Sequence, residues 1–127
     1  MILIVDDNAT ERELTTIAIE ATGRKISVRY AKDGKSALSM LRNGHKLPDL
    51  ILLDLKMPGM SGIEVLHELR GDDRLRDLPV VVVTSSALES DRAEATAAGA
   101  SGYIKKPHSL TQFSKELESF FHRWLPD

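Results

Sequence analysis

Along the chain, short apolar runs alternate with stretches in which apolar residues recur at helical spacing. Ile2-Leu-Ile-Val5 is uniformly apolar and predicts a short buried strand. Thr10 to Thr22 predicts a helix, with Leu14, Ile17 and Ala18 on one face, Ala21 one turn later and Gly23 placed to stop it. Ile26 to Ala31 alternates and reads as a second strand. Asp33-Gly34 then turns the chain into a helix carrying Ala37, Leu38 and Leu41. Leu50 to Leu53 is a third buried strand, and Ser61 to Arg70 places Ile63, Leu66 and Leu69 at helical spacing. Val80 to Val83 is β-branched throughout and predicts a fourth strand. Glu89 to Ala98 is an Ala-rich helix closed by Gly99, and Gly102 to Lys105 is a shorter fifth strand. Leu110, Phe113, Leu117, Phe120 and Trp124 stripe a last helix. On that helix Phe121 points to another side, which leaves two readings: an exposed aromatic on a partner face, or a helix end folded back on the core.

Strands that are near-continuous apolar runs, each followed by a helix, imply an α/β fold with a parallel sheet covered on both faces. Right-handed crossovers make it doubly wound, and in such sheets ligands bind outside the carboxyl ends of the strands.

Composition narrows the function. The chain has 127 residues and 42% hydrophobic residues, which suits one core and one domain spanning 1–127. Its net charge of -2 suggests neither a nucleic-acid surface nor an anionic-membrane anchor. With no cysteine, disulfides, thiolate metal sites and thiol catalysis are excluded. The apolar runs are too short to span a bilayer, and the first residues lack the features of a signal peptide, so a cytoplasmic protein is expected.

The strand ends carry the candidate chemistry. The first strand ends in Asp6-Asp7, the third in Asp54 and the fourth in Thr84, and the fifth is followed by Lys106-Pro107. Two carboxylates about 4 Å apart repel by roughly 4 kcal/mol at an effective dielectric near 20, so a cation or a proton must relieve them. Hard oxygen ligands suit Mg²⁺, which keeps several waters and bridges carboxylates to a phosphate. With Lys106 beside it, a phosphoryl group is the natural anion at the centre. Asp54 would be the nucleophile, forming an aspartyl phosphate.

Asp6-Asp7, the segment Asp54-Leu-Lys-Met-Pro-Gly-Met-Ser-Gly62, Thr84 and Lys106-Pro107 together resemble the receiver domains of two-component response regulators, of which the bacterial chemotaxis regulator is the simplest. The resemblance covers essentially the whole chain. It implies the (βα)5 flavodoxin-like fold, five parallel strands in the order 2-1-3-4-5 with five helices. It makes Asp54 the phosphoacceptor. Asp7, Asp54 and the backbone carbonyl of Lys56 would bind Mg²⁺ (or Mn²⁺ in its place), with Asp6 acting through a coordinated water. Thr84, the Ser85 backbone and Lys106 would hold the phosphoryl group. Thr84 and Tyr103, the latter at the aromatic position that rotates inward on activation, would form the switch. Pro58 and Gly62 match the family's loop, and Pro107 its proline, whose bond to Lys106 is cis in the family. Lys106 is preferred to Lys105 because the family's lysine directly precedes the proline, which itself favours an extended neighbour.

The resemblance also implies partners. The donor would be a phosphohistidine on a sensor histidine kinase or phosphotransfer protein, with acetyl phosphate as a small substitute. Such a domain is not an enzyme in its own right, since it catalyses only its own phosphorylation and dephosphorylation. Output would be contact with a downstream protein or a second copy through the fourth helix, fifth strand and fifth helix, without direct contact to nucleic acid or membrane. Leu78-Pro79-Val80 and Thr84-Ser85-Ser86 look somewhat like small regulators paired with phytochrome kinases.

Plainer readings compete. An Asp after a strand is often a helix cap, as Asp33 next to Gly34 is expected to be a turn residue. His45, His67, His108 and His122 lack metal-ligand spacing and are expected at the surface. A haloacid-dehalogenase-type enzyme needs a second Asp where this chain has Lys56. A flavodoxin-type flavin carrier needs a Ser/Thr/Gly phosphate loop where it has Asp6-Asp7. The remaining alternative is a phosphorylation-independent receiver-like interaction module.

Overall fold

The computed structural model describes residues 1–44, 46–106 and 109–125. In chain order the elements are β1 Ile2–Val5, α1 Ala9–Glu20, β2 Val28–Ala31, α2 Gly34–Asn43, β3 Leu50–Leu53, α3 Gly62–Arg70, β4 Val80–Thr84, α4 Glu89–Ala97, β5 Gly102–Lys105 and α5 Leu110–Trp124. All pairings are parallel and the order is β2-β1-β3-β4-β5, the doubly wound sheet expected from the sequence.

Alternation along the strands divides the core in two. Leu3, Val5, Ile51, Leu53, Val80 and Val82 face the cluster built with Ala37, Leu38 and Leu41 of α2, Val65, Leu66 and Leu69 of α3 and Ala95 of α4. Ile2, Ile4, Leu50, Leu52, Val81 and Val83 face Ala18 and Ile19 of α1 and Phe113, Leu117 and Phe121 of α5. The central strands β1, β3 and β4 are therefore buried at every position. Their uniformly apolar sequences reflect burial on two faces.

The ladder runs one residue past the strands. Asp6 N–H donates to Ala31 O at 3.1 Å, Asp54 N–H to Val5 O at 3.0 Å, and Lys106 N–H to Thr84 O at 2.7 Å. The backbones of the three chemical residues are thus pinned to the same rim of the sheet. Elsewhere the helix ends are tied to one another. The Arg70 guanidinium at the end of α3 donates to the carbonyls of Gly99, Arg76 and Leu78, joining α3 to the chain leading into β4 and β5.

Three local expectations are corrected. In α1 the buried residues are Thr15, Ala18 and Ile19, while Leu14 is 47% and Ile17 40% exposed. Burial of Thr15 costs little because its hydroxyl donates to Glu11 O at 2.9 Å. That lets the helix turn Ile19 onto Ile2 and Ile4. In α5 the core stripe is Phe113, Leu117 and Phe121, a strict i, i+4, i+8 row, and Phe121 is fully buried. Phe120 is the flank residue, half-buried over Gly102 and stacked on Trp124 at 5.8 Å. β2 is shorter than expected, beginning at Val28, because it is an edge strand with one ladder partner.

Truncation separates the two kinds of position. Phe121→Ala should cost about 3–5 kcal/mol in urea denaturation, whereas Leu14→Ala should cost less than about 1 kcal/mol.

Candidate functional site

At the pinned rim, the carboxylates of Asp6, Asp7 and Asp54 bring their oxygens within 4.8 Å of one another. Asp6 is buried, Asp7 exposed and Asp54 half-buried. Both oxygens of Asp6 are engaged: Oδ1 accepts the Asn8 N–H at 3.0 Å, and Oδ2 lies 3.2 Å from Lys106 Nζ. Arg12 adds a hydrogen bond from Nη1 to the Asp6 carbonyl at 2.7 Å. Lys106 Nζ also pairs with Glu11 Oε2 at 3.2 Å, and it makes no ion pair with Asp54 among the described residues.

The electrostatics follow from this arrangement. Burial pushes the Asp54 carboxyl above its ordinary value, against the pull of Lys106 and with the added push of Asp6 and Asp7. For Lys106, burial opposes the ammonium, but Asp54, Asp6 and Glu11 outweigh it and raise the group above its ordinary value. Two carboxylates, Asp6 and Glu11, thus pair with the one ammonium, and the three clustered carboxylates offer only hard oxygens. That donor set fits a divalent cation of the Mg²⁺ class.

The loop after β3 is shaped to present Asp54. Lys56 N–H points to Asp54 Oδ1 at 3.4 Å, and no described donor takes the Lys56 carbonyl. Met57 is buried and Pro58 exposed. Gly62 N–H donates to Leu55 O at 3.0 Å. A Cβ on Gly62 would overlap the Asp54 carbonyl oxygen and lie 2.7 Å from Leu55 Cα, so only glycine allows this approach. Ser61 caps α3 in a complete capping box with Glu64.

Across the rim, Thr84 is fully buried and its hydroxyl accepts the Ser86 N–H at 3.4 Å. Ser85 is exposed, and its N–H has no acceptor among the described residues. Tyr103, half-buried on β5, donates its hydroxyl to Ser86 O at 3.0 Å, with the Arg92 guanidinium 5.4 Å from its ring. Ser86 Oγ donates to Asp91, and Asp91 Oδ2 is 3.3 Å from Lys56 Nζ. Those two contacts hold the Asp91 carboxyl below its ordinary value, the Ser86 bond chiefly. The loops after β3 and β4 are therefore joined through one aspartate.

Asp6, Asp7, Asp54 and Lys106 are brought together as the sequence suggests, and Lys105 is left exposed. His67 and His122 are exposed, whereas His45, His108 and Pro107, with its bond to Lys106, lie outside the described residues. Asp33 is the N-cap of α2 and accepts the Ser36 N–H at 2.7 Å, away from the acidic cluster. Sequence reasoning missed Glu11, Arg12 and Asp91. A signal for Glu11 existed: Asn8-Ala-Thr-Glu11 has the spacing of a capping box.

Comparison with known proteins identifies the architecture. The family model for the response regulator receiver domain matches residues 2–118. The chain is 38% identical over 122 residues to the chemotaxis protein CheY of Pseudomonas aeruginosa, covering 96% of each. Its structure superposes on the phosphorylated cyanobacterial phytochrome response regulator RcpA with a TM-score of 0.87 at 32% identity, covering 98% of this chain and 92% of the other. The Mn²⁺-bound form of the response regulator Rcp1 gives a TM-score of 0.83 at 29% identity, covering 98% and 93%. The chain belongs to the response regulator receiver domain family.

Two outcomes follow from the site's geometry. Gly62→Ala should destabilise the fold by about 1–3 kcal/mol in urea denaturation, because backbone must move to admit the methyl group. Asp54→Asn should raise the melting temperature at pH 7. The raised carboxyl makes ionised Asp54 a liability that grows as pH climbs above the ordinary value of 3.8. The gain should therefore fade as pH falls through the raised folded-state value toward 3.8 and be absent below it, where the carboxyl is neutral in the folded and the unfolded chain alike.

Proposed function

We propose that this receiver domain accepts a phosphoryl group on Asp54 from the phosphohistidine of a sensor kinase or phosphotransfer protein, in a reaction that needs Mg²⁺. The observation that carries the reading is the convergence of three carboxylates within 4.8 Å beside a single ammonium, on a rim where the backbone is fixed by the sheet. An Asp54 carboxylate oxygen would attack phosphorus as the P–N bond breaks, leaving the histidine neutral after proton uptake.

Each neighbour has a role that its surroundings support. Asp7 is exposed and Asp54 half-buried, so both have oxygens to offer a metal, together with the untaken Lys56 carbonyl. Asp6 has both oxygens engaged by the protein, which favours action through a coordinated water. Bound Mg²⁺, or Mn²⁺ in its place, would neutralise the charge that builds on the transferring oxygens. The Thr84 hydroxyl, the untaken Ser85 N–H and Lys106 would then hold the phosphoryl group.

Thr84 and Tyr103 are the natural switch, because both end on Ser86: its N–H and its carbonyl. A shift of the Thr84 hydroxyl toward a phosphoryl oxygen would disturb the Ser86 N–H and, through the same residue, the acceptor of Tyr103. The readout would pass to α4, β5 and α5 and a protein partner or second copy bound there. α4 is suited to move, since Ala95 is its one buried residue and Leu88, at its N-cap, is 62% exposed and supplies no side-chain cap. No helix of the described residues is long and apolar enough to cross a membrane, in keeping with a cytoplasmic site of action.

Incubation with Mg²⁺ and acetyl phosphate should add one phosphoryl group by intact mass, and Asp54→Asn or chelation of Mg²⁺ should abolish the gain. Absence of that gain, of beryllofluoride binding and of transfer from phosphorylated kinases would favour a phosphorylation-independent interaction module instead.

A further inference from the structure

Two of the helices that begin on this side of the sheet, α1 and α3, carry the same N-terminal signature, a capping residue followed three residues later by Glu, but use it differently. In α3, Ser61 Oγ accepts the Glu64 N–H and the Glu64 carboxylate returns to the Ser61 N–H, at 3.3 Å in both directions. In α1, Asn8 Oδ1 accepts the Glu11 N–H at 3.0 Å, but the return bond is missing. The Asn8 N–H has been taken by Asp6 Oδ1 at 3.0 Å. The Glu11 carboxylate, released from the box, lies 3.2 Å from Lys106 Nζ.

Two carboxylates therefore hold Lys106, and they are not equivalent. Asp6 belongs to the acidic cluster and would lose much of its pull on an ammonium once its charge is shared with a divalent cation. Glu11 is outside that cluster and keeps its charge. An ammonium has three donors, and Asp6 and Glu11 occupy two. Resting on the phosphoacceptor reading above, we infer that Glu11 is a positioning residue for Lys106, anchoring its ammonium beside the cluster so that a donor remains for the oxygen of the incoming phosphoryl group.

The inference is tested by Glu11→Gln, with Glu13→Gln as a control that removes the same charge from an exposed position of α1. In metal-free protein, a lysine-selective ¹H–¹⁵N spectrum should show the Lys106 ammonium resonance moved in Glu11→Gln and unmoved in Glu13→Gln. With Mg²⁺ and acetyl phosphate, Glu11→Gln should lower the maximal phosphorylation rate by about fivefold, the upper range for a half-exposed ion pair. The acetyl phosphate concentration at half-maximal rate should stay within about twofold, since an effect confined to the transferring state leaves ground-state binding alone. A rate equal to wild type, or a slower rate with an unmoved Lys106 resonance, overturns the assignment. A wild-type protein that takes no phosphoryl group overturns instead the phosphoacceptor reading on which it rests.

Discussion

Mutual repulsion of carboxylates at the edge of an apolar sheet is the constraint around which this protein is built. Three of them meet within 4.8 Å because two neighbouring parallel strands, β1 and β3, end together, and these strands end together because the ladder fixes their register. Neither Asp6 nor Asp54 could shift its backbone to relieve the charge without breaking a hydrogen bond of the sheet. Relief has to come from outside the strands: Lys106, the N–H of Asn8, and a divalent cation of the kind the donor set fits.

The same constraint explains the loops. Gly62 lets α3 start hard against the end of β3, which keeps the Asp54 loop short and its carboxylate at the rim. Asp91 reaches from α4 to both Ser86 and Lys56, so the loops that follow β3 and β4 do not move independently. Tyr103 closes the arrangement from β5 through the Ser86 carbonyl. Short polar contacts thus link the loop that carries Asp54 to α4, while apolar clusters pack both faces of the sheet.

Much of the fold was legible because burial on two faces leaves a strong mark in sequence. β1, β3 and β4 are apolar at nearly every position, and Thr84 stands out as the polar residue closing β4. The acidic residues Asp6, Asp7 and Asp54 were legible for a related reason: charged residues directly after such runs sit at the rim, whereas Lys106, after the partly exposed β5, was chosen over Lys105 by its place before Pro107. Glu11 was not legible. Its spacing from Asn8 says helix start, and the diversion of its carboxylate depends on Asp6 having claimed the Asn8 N–H and on Lys106 arriving from the far end of the chain.

The sequence by itself determined the alternation of elements, the class of sheet and the residue types at the strand ends, since each of these is fixed by local periodicity or by the residue after a buried run. Tertiary structure alone decided which face of a helix is core. Leu14 and Ile17 lost to Thr15 and Ile19 in α1, and Phe120 lost to Phe121 in α5. In both helices the apolar band is wider than the stripe that reaches the sheet, so the neighbours and not the pattern choose its centre. Tertiary structure also decided the pairings of the long polar side chains, such as Arg70 on three distant carbonyls and Lys106 between Asp6 and Glu11. Those side chains bond whatever the packed backbone brings within a few ångströms, and residue spacing along the chain carries no record of that.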